Sequence, residues 1–126
     1  MRWLVDASNV IGSKPDGWWR DRDAATRRLI DQLEAFSKTS GDPVTVVLDA
    51  GPTELARQQG GLEVVLARRR GRNAADDEIV HALEAAEAPG EIRVATSDAA
   101  LAARARALGA EVEGALTFRE RLEPAG

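Results

Sequence analysis

Four short, mostly apolar runs, 2–5, 44–48, 64–66 and 92–95, are separated by stretches too long for hairpins, and this alternation constrains the fold more than any other feature of the sequence. Continuous apolar runs, as opposed to alternating ones, mark strands covered on both faces, and long crossovers between such strands make the sheet parallel. The stretches between them read as helices. In 23–36, Leu29, Leu33 and Phe36 recur at helical spacing with Arg27, Arg28, Asp31 and Glu34 on the other faces. A short helix is expected over 53–59, closed by Gly60 and Gly61, and the first loop is expected to run from Asp6 to about Arg22. A helix over 73–88 turns Ile79, Val80 and Leu83 inward and stops at Pro89-Gly90, and another over 99–108 has Gly109 just beyond it. A last strand at 111–113 and a small helix around 118–122 complete an α/β domain of doubly wound type, read as one domain over 1–126.

Composition narrows the chemistry. Apolar residues make up 44% and charged residues 30% of the 126, with two Phe and no Tyr, which suits a core of small aliphatic side chains between helices and sheet. The absence of cysteine removes disulfides, thiolate metal sites and thiol nucleophiles, and a single histidine leaves little room for imidazole-rich metal centres. No apolar run approaches a membrane span, and the acidic residue at position 6 comes too early for a signal peptide, so a cytoplasmic, membrane-free protein is expected. A net charge of −4 argues against bulk coating of nucleic acid but is silent about a local basic strip.

In open parallel sheets, function gathers beyond the carboxyl ends of the strands. Here that rim is acidic: Asp6, Asp49 and Asp98 end the first, second and fourth strands, and Asp76 and Asp77 open the helix after the third. Each has a structural alternative. Asp98 could cap the following helix, and Asn73 with Asp76 has capping-box spacing. Asp6 is harder to explain away, because it lies directly against an apolar strand end. Several carboxylates on one rim repel each other unless a cation neutralises them, and with only oxygen ligands on offer Mg²⁺ or Mn²⁺ is the expected partner. Such a site suits phosphodiester hydrolysis, and His81 needs no role in it.

The segments Val-Asp-Ala-Ser-Asn-Val-Ile-Gly (5–12), Val-Val-Leu-Asp-Ala-Gly (46–51), Asn-Ala-Ala-Asp-Asp-Glu-Ile-Val (73–80) and Val-Ala-Thr-Ser-Asp (94–98) resemble, in order and over nearly the whole chain, the NYN domains of the PIN-like RNases, and within them the YacP-like branch. The resemblance implies a PIN-like, Rossmann-like three-layer fold with a central parallel sheet ordered 3-2-1-4-5. It also implies a metal-dependent endoribonuclease that hydrolyses RNA phosphodiester bonds. By motif position the acidic residues fall on Asp6, on Asp76 or Asp77, and on Asp98, with Asp49 in support and Asn9 orienting the first loop or contacting phosphate. Asp76 is preferred over Asp77 because it shares a helix face with Ile79, Val80 and Leu83. The chain departs from the YacP-like pattern in its shortness, in Ala7 and Ser8 after the first Asp, and in Trp18-Trp19 in the first loop.

RNA, single-stranded or structured, is the implied partner; ribosome association and oligomeric state are left open. Substrate contacts are expected from Asn9, Asn73 and Ser97, from Trp18 and Trp19 as a stacking platform, and from Arg68, Arg69, Arg70 and Arg72 as phosphate guides, although the tryptophans could instead pack and the arginines could be solvated surface. Two other functions compete: a catalytically inactive RNA-binding module of the same fold, and a phosphate-binding Rossmann-like domain. The second ranks last, because no Gly-x-Gly-x-x-Gly or Gly-Lys-Ser/Thr loop is present.

Overall fold

The computed structural model describes residues 1–68 and 73–123. Strands β1 (Arg2–Asp6), β2 (Val44–Leu48), β3 (Arg57–Gln59), β4 (Leu62–Leu66), β5 (Ile92–Ala95) and β6 (Glu111–Glu113) form one sheet in the order β3-β4-β2-β1-β5-β6. Five of them are parallel and reproduce the expected 3-2-1-4-5 order; β3 is added at one edge, antiparallel to β4.

That edge strand replaces the helix expected over 53–59. Only Thr53–Leu55 turns, as a single 3₁₀ segment, and Arg57–Gln59 then pairs back on β4 through a two-residue Gly60-Gly61 turn. Gly60 sits at φ +57°, so the glycines serve a hairpin and not a helix terminus. The exposed Arg-Gln-Gln sequence suits a sheet edge, where polar side chains discourage further pairing.

Helices cover both faces. On one side lie α1 (Ala7–Ile11), α2 (Arg22–Ser40) and α5 (Ala115–Leu122), packed on Trp3, Val5, Val44, Val46 and Leu48. On the other, α3 (Ala74–Ala85) and α4 (Ala99–Ala107) bury Ile79, Val80, Leu83 and Leu101 against Leu4, Val47 and Val94. Successive strand residues thus feed opposite cores, which is why the strands are apolar without alternation.

The first loop is more ordered than expected: α1 starts directly after Asp6, and Trp18–Arg20 forms a 3₁₀ turn. Helix α2 outruns its expected 23–36 span because Asp21 caps its start, accepting from Ala24 N at 3.0 Å, and Gly41 closes it in the left-handed region. Among the described residues no helix is long and apolar enough to cross a membrane.

Candidate active site

Strand β1 is flanked by β2 and β5, so the chain reverses its winding between β1 and β5, and the crevice beyond their carboxyl ends is where the fold leaves room for a ligand. Asp6 is the last residue of β1 and only 1% exposed. Burial pushes its pKa above the ordinary carboxylate value, against the pull of the donors around it. Those donors are Asn9 Nδ2 at 2.6 Å and Thr96 Oγ1 at 3.0 Å, both on Oδ2, and Ser8 Oγ at 3.3 Å on Oδ1. A carboxylate has about four lone-pair positions. Besides the three side-chain donors, the backbone N–H of Asn9 also favours the charged carboxylate.

Thr96 joins the two strand ends. Its hydroxyl donates to Asp6 and accepts from the N–H of Asp98 at 3.1 Å, which fixes the turn from β5 into α4. Asp98 is the cap that its position suggested, with Oδ1 accepting from Leu101 N at 3.0 Å, and its second oxygen has no hydrogen bond among the described residues. Asn9 completes the frame, holding Asp6 through its amide and accepting from Ser97 N at 3.3 Å. Asn9 therefore orients the loop. The side chain of Ser97 is committed elsewhere, accepting from Ala115 N at the start of α5.

Asp76, in the first turn of α3, is half-buried, and its pKa is raised to about 6, first by burial and then by the charges of Asp6, Asp98 and Asp77, with a small opposing effect from Arg104. Asp76 thus feels the charges of Asp6, Asp98 and Asp77. Asp77 lies at the exposed rim of a groove with Arg68, Glu78 and His81. Asp49 opens into a different cavity beside Trp18. The capping box suggested for Asn73 and Asp76 does not form: Asn73 adopts φ +68° and its side chain makes no capping bond.

Among the described residues no three acidic or histidine side chains converge as a ready-made ligand set, so the five-carboxylate metal cluster expected of Asp6, Asp49, Asp76, Asp77 and Asp98 is not assembled. The reasons are local: Asp6 is turned into its three donors, Asp98 gives one oxygen to its helix, and Asp49 and Asp77 face other grooves.

Trp19 is half exposed and Trp18 partly covered; their rings meet edge to face at 5.8 Å, and the Arg22 guanidinium lies 5.3 Å from the Trp18 ring centre. Arg68 is exposed, while its backbone N–H donates to Glu78. Arg69, Arg70 and Arg72 lie outside the described residues. Thr96 is the site residue that the sequence did not single out. Its signal was a hydroxyl placed directly after a buried strand and two residues before an acidic cap.

A three-layer domain with a 3-2-1-4-5 parallel core and buried acid at its switch point has the architecture of the PIN-like nuclease superfamily. The YacP-like NYN domain model matches residues 3–125, and the chain belongs to that family. The crystal structure of Rae1 (YacP) from Bacillus subtilis superposes with a TM-score of 0.75 at 26% identity, covering 97% of this chain and 75% of that one. A tryptophan-to-leucine mutant of the same protein gives 0.74 at 26% identity, covering 97% and 76%. No curated protein matches the chain significantly.

Proposed function

We propose that this chain is a metal-dependent endoribonuclease acting through Asp6, Asp76 and Asp98. The observation that carries the reading is the setting of Asp76 at the switch-point crevice: burial first, and then the charges of Asp6, Asp98 and Asp77, raise its pKa to about 6. A structural role alone gives no reason to gather these charges, whereas a cation would relieve them.

The donor set fits a hard cation. Asp98 keeps a second oxygen without a hydrogen bond, and Asp76 makes no hydrogen bond, among the described residues, and both are beside the buried Asp6 carboxylate. Mg²⁺ and Mn²⁺ sites of this kind use one or two carboxylates and keep several waters, so a closed cage of protein ligands is not required. Bound there, the metal would supply an activated water and charge neutralisation for phosphodiester hydrolysis. The protein's part is to hold Asp6 ionisable in a buried place through Thr96, Asn9 and Ser8, and to hold Asp98 by its helix cap. Family membership supports the same reading.

A catalytically inactive RNA-binding module is the second reading, favoured by the lack of a preassembled ligand set among the described residues. Incubating the purified protein with labelled RNA and single-stranded DNA in Mg²⁺, Mn²⁺ or EDTA separates the two. Internal RNA cleavage that EDTA and Asp6→Asn both abolish is expected, together with a metal-induced rise in melting temperature that Asp6→Asn removes. RNA binding without cleavage, indifferent to chelation, would establish the inactive module instead.

A further inference from the structure

Beside the acidic crevice lies a second cavity of about 370 Å³, within the ~300–1,000 Å³ typical of small-molecule sites. Ser8 belongs to its lining and also donates to Asp6 Oδ1, so a group seated there adjoins the candidate catalytic carboxylate. Ile11 and Leu48 give it apolar walls and Trp18 an aromatic one.

The polar lining is mostly accepting. Asp23 and Asp49 only accept, and neither carboxylate has a hydrogen-bond or ion-pair partner among the described residues. The Thr26 hydroxyl spends its proton on Arg22 O at 2.9 Å and the Ser8 hydroxyl spends its own on Asp6, so both present lone pairs to the cavity. Arg22 is the charged donor in the lining, beside the indole N–H of Trp18; its guanidinium lies 5.3 Å from the Trp18 ring centre and is in no ion pair among the described residues. The complementary ligand is flat, has adjacent N–H donors on one edge and carries an acceptor for Arg22.

We propose that this cavity is a nucleobase subsite selective for guanine, an inference that rests on the nuclease reading for its place beside the cut. Guanine alone among the four RNA bases carries two neighbouring donors, N1–H and the N2 amine, on its pairing edge, where a carboxylate can accept both. Its O6 and N7 acceptors match an arginine fork. Stacking on an aromatic side chain supplies affinity without choosing the base, so selectivity falls to the carboxylates and Arg22.

The test titrates GMP, AMP, CMP and UMP into the whole protein in EDTA, by calorimetry and tryptophan fluorescence, so that metal and catalysis play no part. GMP should bind about tenfold tighter than the other three, as expected of a good bidentate base contact. Trp18→Leu should weaken it about tenfold, with Trp18→Phe restoring most of the loss. Asp23→Ala and Asp49→Ala, at exposed positions that leave folding intact, should erase the preference for guanine singly or together. Equal binding of all four nucleotides, no binding, or a guanine preference surviving loss of both carboxylates would overturn the assignment. Metal-dependent cleavage with no guanine bias in the cut positions would overturn it while leaving the nuclease standing. Guanine binding without any cleavage would uphold the subsite and remove the nuclease.

Discussion

Thr96 donates to Asp6 across 90 residues of sequence, at 3.0 Å and in a fully buried setting, and through that one bond the ends of β1 and β5 share a proton donor. The same oxygen accepts the Asp98 amide. Replacing Thr96 by Val keeps the shape but removes both functions, leaving a buried carboxylate short of a donor and an amide short of an acceptor. A loss of about 1–3 kcal/mol in urea denaturation is expected, with Thr96→Ser close to wild type. A Thr96→Val protein as stable as wild type would mean that water or rearrangement replaces the bond.

Asp98 serves the α4 cap with one oxygen and faces the crevice group with its charge. These roles separate by substitution. Asn caps as well as Asp, so Asp98→Asn should leave stability within about 0.5 kcal/mol, while Asp98→Ala should cost about 1 kcal/mol. On the proposed function both abolish cleavage. Retained cleavage in Asp98→Asn would reduce Asp98 to its cap.

Arg119, on α5, clasps the first loop. Its guanidinium donates to Ile11 O at 3.0 Å and pairs with Asp16, and it lies 3.7 Å from Glu123, which also holds Lys14 at 2.7 Å. The Arg119 side chain is 14% exposed, whereas Lys14 and Glu123 are each about a third exposed. Arg119→Ala should therefore cost about 1–3 kcal/mol by stranding a carbonyl, against at most about 1 kcal/mol for Lys14→Ala. Arg119 holds the Asp16 pKa below its ordinary 3.8, so the stability from this pair is present above pH 3.8 and disappears as pH falls through the lower folded value. Arg119→Ala should remove that part of the acid sensitivity. Equal losses for Arg119→Ala and Lys14→Ala would show that the clasp is only surface charge.

The arginines at 68, 69, 70 and 72 fall between the end of β4 and the start of α3, the helix that carries Asp76. A polyanion approaching carboxylates needs cations nearby, and Arg binds phosphate without sequence preference. Changing Arg69 and Arg70 to Ala should weaken RNA binding alike for all sequences. It should also flatten the log–log salt dependence by roughly 0.7 to 0.9 for each phosphate that the two arginines neutralise in the wild type. An unchanged salt slope would reduce them to solubilising surface.

The parallel strands and the acidic rim were legible in the sequence because buried strands write mostly apolar runs, with Asp6 and Asp49 directly after two of them and Asp98 three residues after a third, whereas the order of the strands came from the resemblance to the NYN domains. The edge strand β3 was not, since Arg-Gln-Gln has no apolar face and forms only because the Gly60-Gly61 turn folds it onto β4. Helix α1 was missed because five residues are too few to show a period. The Thr96–Asp6 bond and the Arg119–Asp16 pair join residues 90 and 103 positions apart, and nothing local in the sequence announces such partners. Local pattern placed the carboxylates on one rim but not the grooves they face, which is why Asp49 was grouped with residues from which the structure separates it, and Asp77, whose charge still reaches Asp76, opens onto another groove.

The Asp76 carboxyl gives a pH dependence opposite in sign to that of Asp16. Its folded pKa of about 6 lies above the ordinary 3.8, so between these values the folded protein holds a proton that the unfolded chain has released. Metal-free stability should therefore decline as pH rises through that window and level off above it. Asp6, whose pKa burial also raises, adds to the decline with the same sign. Asp76→Asn carries no charge to repel Asp6, Asp98 and Asp77, and should lose most of the decline. Metal should act in reverse, because a cation competes with the Asp76 proton: stabilisation by Mg²⁺ or Mn²⁺ should grow through the same window. Denaturation curves in EDTA and in metal, from about pH 4 to about pH 7.5, measure both effects. A decline of the same size in Asp76→Asn would show that groups other than the buried Asp76 carboxyl carry it.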